Sequence, residues 1–179
     1  WNYISQNNSK IVSENMYKQS KTVTSYLIDG IAWDTITQWI SNKGKSVINS
    51  TSWGNYLNAS YSLKGLYAKH KYNSDWYPAY VYNNGIYNKE QNECVEIATG
   101  LSDRNAAQNI YDFAGNMWEW TTETRKESDS KSILNIYAVI RGSSFVNSGI
   151  VDPVSCRSGY SSDDGEGVSI GFRVVLYIN

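Results

Sequence analysis

The chain has 179 residues, of which 41% are hydrophobic and 18% are charged, and its formal net charge is −1. This length suits one domain with a sizeable core. Because the net charge is near neutral and no run of like charges occurs, the sequence predicts neither a basic surface for nucleic acid nor a polybasic patch for a membrane. No apolar run approaches the roughly 20 residues that span a bilayer, so we expect no membrane insertion. Because the chain begins without Met, we expect a C-terminal fragment of a longer protein.

Two amphipathic helices are predicted near the start of the chain. The first covers residues 8–18, where Ile11, Val12 and Met16 recur at helical spacing after a polar start. The second follows Asp29 as its N-cap and runs to about residue 41. Its apolar stripe consists of Ala32, Trp33, Ile36, Trp39 and Ile40.

Between residues 42 and 109 the periodic pattern dissolves into Gly, Asn, Ser and Tyr. Turn-forming dipeptides occur at 54–55, 84–85 and 99–100. We therefore expect long loops and short strands in this part of the chain.

Two strands are predicted in the last part of the chain. Residues 138–141 contain adjacent β-branched side chains, which favour a strand. At residues 172–178 apolar side chains alternate with their neighbours, which is the period of a half-buried strand. The chain is therefore predicted to be a single α+β domain, residues 1–179, with two helices, short strands and long loops.

Cysteine and histidine are too few for a common catalytic or metal centre. Cys94 and Cys156 permit one disulfide but no disulfide framework. His70 is the only histidine, which excludes His-rich zinc sites and leaves a Ser-His-Asp or Cys-His arrangement dependent on one residue with no motif around it.

Aromatic residues are dense, with 15 Tyr and 7 Trp against 3 Phe. Large rings with polar tips can fill the core of a loop-rich fold while hydrogen-bonding to loop backbone. Tyrosine also supplies rigid contact area at binding surfaces. Both interpretations stay open, for different residues.

Three blocks carry a family resemblance. Residues 111–121 read YDFAGNMWEWT, residues 141–145 read RGSSF and residues 171–173 read GFR. In this order they resemble the formylglycine-generating enzyme (sulfatase-modifying factor) family, and residues 26–34 are similar to the helix entry of that family. The resemblance implies a C-type lectin-like fold of the formylglycine-generating-enzyme type. Both enzymes and pure binding proteins have this fold.

The resemblance implies where the copper site of the family's enzymes would lie. Those enzymes hold copper with two cysteines downstream of the second block, and the matching positions here are Asn147 and Asp152. Neither offers the soft thiolate that Cu(I) requires. Cys156 lies near the position of another family cysteine but has no partner thiol. We therefore expect no copper and no catalysis.

A structural calcium site is also implied by the resemblance, in the turn of the first block. The family uses an Asx side chain, two backbone carbonyls and a Glu carboxylate, and Ca²⁺ takes six to eight hard oxygens. In the alternative, the two tryptophans of the block are core residues and Glu119 pairs with Arg141 or Arg173. The positions that match the calcium set are Asp112, Gly115, Met117 and Glu119.

The segment 143–169 has an unusual composition. It contains no Lys, Gln, Met or Trp and only one Glu, at Glu166. When a diversity-generating retroelement randomises the adenines of Asn codons, the products are codons that end in a pyrimidine, and such codons cannot encode these five types. The ending at residues 171–179 also resembles that of retroelement variable proteins. An ordinary polar surface loop is the alternative.

The expected function is a non-catalytic, receptor-binding module that displays a variable C-terminal surface, as a retroelement variable protein of a phage or bacterial surface. Its partner would be a protein or glycan on a cell surface, and its location the virion tail or the bacterial exterior. The scaffold would be Arg141, Gly142, Pro153, Arg157, Gly171 and Arg173. The solvent-facing ligand surface would be Phe145, Asn147, Val151, Asp152, Ser158, Tyr160, Ser161, Ser162, Asp163 and Asp164.

Two alternatives belong to other functional classes. An altered sulfatase-modifying enzyme would need a metal or nucleophile role for Cys156. A calcium-dependent carbohydrate-binding lectin would use Ca²⁺ directly, although the usual EPN and WND motifs are absent.

Overall fold

The computed structural model describes residues 2–64, 69–72, 75–78, 86–128, 134–160 and 167–179. Two α-helices and many short strands in these ranges confirm the predicted α+β class. The chain divides into two compact units. The first consists of Trp1–Ile36, Trp118–Arg141 and Arg157–Asn179, and the second of Thr37–Met117 and Gly142–Cys156.

Both predicted helices are present with shifted ends. Helix α1 spans Gln6–Asn15 and begins before the predicted start, because Ser5 is its N-cap and accepts the backbone N–H of Asn8 at 3.3 Å. Helix α2 spans Gly30–Asn42. The predicted cap of α2 is confirmed, since Asp29 Oδ1 accepts the backbone N–H of Ala32 at 2.7 Å.

The first unit contains a four-stranded sheet and a two-stranded ribbon. In the sheet the order is β11-β10-β9-β12, with β9 antiparallel to β10 and parallel to β12, and in the ribbon β1 pairs antiparallel with β13. The strand bounds are β1 Val23–Leu27, β9 Trp118–Ser128, β10 Leu134–Arg141, β11 Arg157–Tyr160, β12 Ile170–Phe172 and β13 Val174–Ile178.

For residues 172–178 the prediction that one face of the strand is buried is wrong. The chain leaves the four-stranded sheet after Phe172, and β13 pairs with β1 instead. In this ribbon Leu176 is half exposed and Ile178 is 89% exposed. The alternation therefore does not mark a buried face, because a two-stranded ribbon offers little cover to its outer end.

The core of the first unit is built on two tryptophans. Trp33 of α2 and Trp120 of β9 are fully buried, together with Val139 of β10. The indole N–H of Trp120 donates to the backbone carbonyl of Ile4 at 2.8 Å. Both rings fill the core, and Trp120 also hydrogen-bonds to loop backbone, which agrees with the first of the two interpretations of the aromatic content.

The second unit consists of short strands joined by loops, as predicted for residues 42–109. Strand β2 pairs with β5, β3 lies between β4 and β6, and β7 pairs with β8. Trp53, Tyr56 and Phe113 are fully buried in this unit. The strand bounds are β2 Tyr61–Lys64, β3 Lys69–Tyr72, β4 Asp75–Pro78, β5 Ile86–Lys89, β6 Glu96–Ile97, β7 Ala106–Ala107 and β8 Ile110–Tyr111.

Both cysteines and the histidine lie in the described ranges. Within these ranges neither Cys94 nor Cys156 forms a disulfide. His70 lies in β3. Neither helix in the described ranges has the length and apolar content of a membrane span.

Candidate functional site

Backbone hydrogen bonds fix residues 142–156, which we call the display loop. The N–H of Phe145 donates to the carbonyl of Asn116 at 3.0 Å, and the carbonyl of Asn147 accepts the N–H of Leu57 at 2.8 Å. The carbonyl of Gly149 accepts the N–H of Ser50 at 3.0 Å. These contacts use main-chain atoms only, so they do not depend on the side chains of the loop.

Polar side chains of residues 50–58 add further anchors to the display loop. Asn58 Oδ1 accepts the N–H of Gly149 at 3.0 Å, and Ser50 Oγ accepts the N–H of Val154 at 2.9 Å. A Cβ atom at Gly149 would lie 2.8 Å from the backbone nitrogen of Thr51. The loop is therefore packed closely against this segment along most of its length.

The two positions that match the copper-binding cysteines contact each other within the display loop. Asn147 Nδ2 donates to Asp152 Oδ2 at 2.9 Å, and Asn147 Oδ1 accepts the hydroxyl of Ser144 at 2.7 Å. Asp152 Oδ1 accepts from Cys156 Sγ at 3.6 Å. The amide and the carboxylate of this pair offer hard oxygen atoms, which do not suit Cu(I).

Tyr56 is fully buried in the second unit. Its hydroxyl lies 2.6 Å from Ser50 Oγ and donates to the carbonyl of Gly142 at 3.4 Å. Burial raises the pKa of Tyr56, the hydrogen bond with Ser50 opposes that rise, and the negative charge of Asp152 adds to it. Tyr56 is thus protonated at neutral pH and serves as a hydrogen-bonding group rather than as a base.

The predicted ligand residues of the display loop differ in exposure. Val151 is 76% exposed, and Asn147 and Asp152 are half-buried. Phe145 is only 6% exposed, so the expectation that it faces solvent is wrong. The reason is that its backbone is tied to Asn116, which directs the ring into the core of the second unit.

The remaining predicted ligand residues lie elsewhere. Ser158 and Tyr160 belong to β11 of the first unit, where Ser158 is half-buried and the ring of Tyr160 packs edge-on against Trp120 with 6.0 Å between centroids. Ser161, Ser162, Asp163 and Asp164 lie outside the described residues.

Sequence reasoning missed two exposed aliphatic residues in the second unit. Ile48 and Ile150 are both largely exposed, and Ile150 belongs to the display loop. A single aliphatic residue surrounded by Ser, Gly and Asn predicts an exposed side chain, because a side chain in such a turn-rich stretch has few neighbours to cover it.

Arg141 is buried in a charged network of the first unit. Its guanidinium pairs with Asp34 and, at 3.4 Å, with Glu123, and Glu123 also accepts from Arg157 Nε at 2.8 Å. The guanidinium carbon lies 5.9 Å from the ring centroid of Trp33. Arg141 and Arg157, which the sequence assigned to the scaffold, thus both bind one carboxylate.

Three of the predicted calcium positions belong to the second unit. Asp112 is buried, and its Oδ2 accepts the N–H of Gly100 at 2.8 Å. The carbonyl of Gly115 accepts the N–H of Met117 at 2.8 Å. Gly115 has φ +70°, and a Cβ there would lie 2.2 Å from the carbonyl oxygen of Asn55.

The fourth predicted position, Glu119, belongs to the first unit and forms a bidentate pair with Arg173. Arg173 Nε lies 2.9 Å from Oε2, and Nη2 lies 2.7 Å from Oε1. Burial raises the pKa of Glu119, and the Arg173 charge opposes that rise. Because both carboxylate oxygens already bind a guanidinium, this arrangement does not fit Glu119 as a calcium ligand. The described part of the chain contains no group of three or more His, Cys, Asp or Glu side chains that could hold a metal ion.

Comparison with known families gives one match. The family model of the sulfatase-modifying factor enzyme 1-like domain matches residues 36–178. No curated protein and no solved structure gives a significant match. The matched span contains the three sequence blocks and the whole display loop. The chain therefore belongs to the sulfatase-modifying factor enzyme 1-like domain family.

Proposed function

We propose that this chain is a non-catalytic ligand-binding module with a C-type lectin-like framework, and that the display loop forms part of its ligand surface. The observation that carries the proposal is the contact of 2.9 Å between Asn147 and Asp152. The family's copper enzymes have cysteines at the matching positions, and an amide hydrogen-bonded to a carboxylate cannot replace a thiolate pair. The loop retains a defined shape without the oxidative chemistry.

A fixed backbone with exposed side chains suits a binding surface. The anchors at Phe145, Asn147 and Gly149 are made by main-chain atoms, whereas Ile150 and Val151 are exposed. Replacement of the exposed side chains leaves the anchors in place. A loop held in one conformation also loses less conformational entropy on binding, which favours affinity.

The proposed partner is a protein or glycan on a cell surface, and the proposed setting is the virion tail or the bacterial exterior. The composition of residues 143–169 supports diversification by a retroelement, since four residue types are absent there and Glu occurs once. In this proposal the fold stays constant between sister proteins while the exposed loop positions change.

The nucleotide sequence of the source locus tests this proposal. We expect a near-repeat of codons 141–179 beside a reverse transcriptase gene, differing from the coding copy only at adenines of the repeat. A locus with neither element would remove the variable-repeat proposal, and differences scattered over all four bases would contradict adenine randomisation.

An altered sulfatase-modifying enzyme is the first alternative. It would require Cys156 as a thiolate nucleophile or as a metal ligand. The Sγ atom of Cys156 lies 3.6 Å from Asp152 Oδ1, and a neighbouring carboxylate disfavours the thiolate by like-charge repulsion. This contact favours the non-catalytic proposal over the enzyme.

A calcium-dependent lectin is the second alternative, and one titration tests both this alternative and the structural calcium that the family resemblance implies at Asp112, Gly115, Met117 and Glu119. Calcium bound to the native chain would raise the thermal midpoint with increasing Ca²⁺ concentration. Because Glu119 is paired with Arg173, we expect no such increase in millimolar CaCl₂. A saturating increase that Glu119→Gln abolishes would restore the calcium site.

A further inference from the structure

An amino group is buried inside the second unit, at the end of β5. The side chain of Lys89 belongs to a residue that is only 1% exposed. Its Nζ lies 2.7 Å from the carbonyl oxygen of Ala59, 2.9 Å from that of Tyr56, 3.3 Å from that of Glu90 and 3.4 Å from that of Leu57. Four backbone carbonyls therefore converge on one nitrogen.

The donor and acceptor numbers fit a primary ammonium. An ammonium has three N–H donors and no acceptor, and two of the oxygens lie at short distances while two longer ones can share the third proton. Among the described residues, the hydrogen-bonding partners of Lys89 are carbonyls rather than carboxylates. The ring centroid of Tyr61 lies 5.9 Å from Nζ, within cation–π range.

Ionisable groups around Lys89 act on its charge in both directions. Burial lowers the pKa of Lys89 to about 8, Glu93 and Cys94 oppose this change, and Arg104 adds to it. At neutral pH the ammonium form predominates, so all three donors are available to the carbonyls.

The three carbonyls at Tyr56, Leu57 and Ala59 belong to the segment that anchors the display loop. The N–H of Leu57 donates to the carbonyl of Asn147, and Asn58 Oδ1 accepts the N–H of Gly149. Lys89 thus binds three carbonyls of the segment from which Leu57 and Asn58 hydrogen-bond to the display loop.

We propose that these four carbonyl oxygens form a primary-ammonium binding site, which Lys89 fills within the same chain and which positions residues 56–59 and, through them, the display loop. The ligand class is an alkylammonium ion. This site goes beyond the proposed function and does not depend on it, because it concerns the native chain without any external partner.

Chemical rescue of Lys89→Ala tests the site. The substitution removes three carbons and the nitrogen, which n-propylammonium replaces atom for atom. We expect the thermal midpoint to fall by about 10 °C, and saturating n-propylammonium to recover at least half of that loss. Neutral 1-propanol has one donor and tetramethylammonium has none, so neither should recover more than a small part.

The matched control is Lys45→Ala in the same unit. Lys45 Nζ lies 5.8 Å from the ring centroid of Trp53. Among the described residues this nitrogen donates no hydrogen bond to a backbone carbonyl. We expect n-propylammonium to leave the midpoint of this variant unchanged. Equal recovery of Lys89→Ala by propanol, or equal recovery of both variants by n-propylammonium, would overturn the site.

Two further measurements decide the matter if Lys89→Ala does not fold. In the native chain, nitrogen-15 NMR should find Lys89 Nζ protons that exchange slowly with water, and fast exchange would contradict the proposal. Lys89→Met keeps the apolar stem but removes the donors, and we expect amide exchange at Leu57 and Gly149 to be at least tenfold faster. Native stability and native exchange rates in Lys89→Met would overturn the site.

Discussion

Buried polar groups have different kinds of hydrogen-bonding partner in the two units. In the first unit, full charges are paired with each other, as Arg173 is with Glu119 and Arg141 is with Glu123. In the second unit, buried polar contacts are made mainly by backbone carbonyls and uncharged side chains, as around Lys89 and between Asn55 and Asn116. Loss of one partner in the first unit leaves a buried charge alone, which is costly.

The difference predicts where substitutions should be tolerated. The display loop of the second unit is anchored through its main chain, so its exposed side chains can change without loss of an anchor. The paired charges of the first unit allow no such freedom, because each arginine requires its particular carboxylate. We therefore expect functional variation in the loop and structural constraint in the charge pairs.

The largest effect is expected where backbone approaches backbone in the second unit. Gly115→Ala places a Cβ 2.2 Å from the carbonyl oxygen of Asn55, at φ +70°. The clash and the left-handed conformation together should cost about 3 to 5 kcal/mol of unfolding free energy in urea titrations. Gly44→Ala is the control, since its φ is +85° but nothing lies within 4 Å, and it should cost about 1 kcal/mol. Equal costs would show that the close approach is not formed.

Removal of a buried charge partner in the first unit should have the next largest effect. Arg173→Met leaves the buried Glu119 carboxylate without its guanidinium, and we expect a loss of about 3 kcal/mol of unfolding free energy. Glu127→Gln breaks an exposed pair and should cost less than about 0.5 kcal/mol. Adding Glu119→Leu to Arg173→Met should recover most of the loss, and a double variant as unstable as the single one would contradict the pairing.

A pH titration tests the buried amino group of Lys89 in the second unit. The pKa of Lys89 is lowered from 10.5 to about 8 by burial, so between these values the unfolded chain binds more protons than the folded chain. The contribution of Lys89 to the unfolding free energy should therefore rise with pH from 8 to about 10.5, by about 3 kcal/mol. Lys89→Met should lack this rise, and an identical pH profile in both chains would show that Lys89 does not titrate in this range.

The smallest effect is expected at the exposed tip of the display loop. Val151 is 76% exposed, and Val151→Lys should change the unfolding free energy by less than about 0.5 kcal/mol. Phe145→Ala, at a buried position of the same loop, should cost about 3 kcal/mol. Comparable costs at the two positions would contradict the separation of anchored and displayed residues.

Local signals in the sequence predicted the elements whose periodicity is long or whose caps are clear. The cap at Asp29 and the stripe of α2 belong to this class, and so does the strand at residues 138–141. The alternation at residues 172–178 led to a wrong prediction of burial. The period of a strand shows which side chains share a face, but it does not show whether another element covers that face. Pairing of β13 with β1 joins residues at opposite ends of the chain, which no local pattern contains.

The family resemblance proposed positions for the candidate site, but the sequence contained no information on the contacts of these residues. Motif spacing placed Asn147 and Asp152 at the matching copper positions, and the structure brings them together. Phe145 was misplaced because exposure depends on the bond between its backbone and Asn116, which lies far away in sequence. The carbonyl site around Lys89 could not be predicted from the sequence, because every residue has a backbone carbonyl and the residue type does not show where that carbonyl points.

The central claim is that the display loop lacks the oxidative chemistry of the family's copper enzymes. The most direct measurement is a Cu(I) competition titration of the native chain, followed by mass spectrometry of a cysteine-containing sulfatase peptide incubated with the copper-treated protein. Asn147→Cys with Asp152→Cys serves as the control that regains a thiol pair and should bind one Cu(I). We predict no stoichiometric Cu(I) and an unmodified peptide for the native chain, and one bound Cu(I) with conversion of the peptide cysteine to formylglycine would contradict the account.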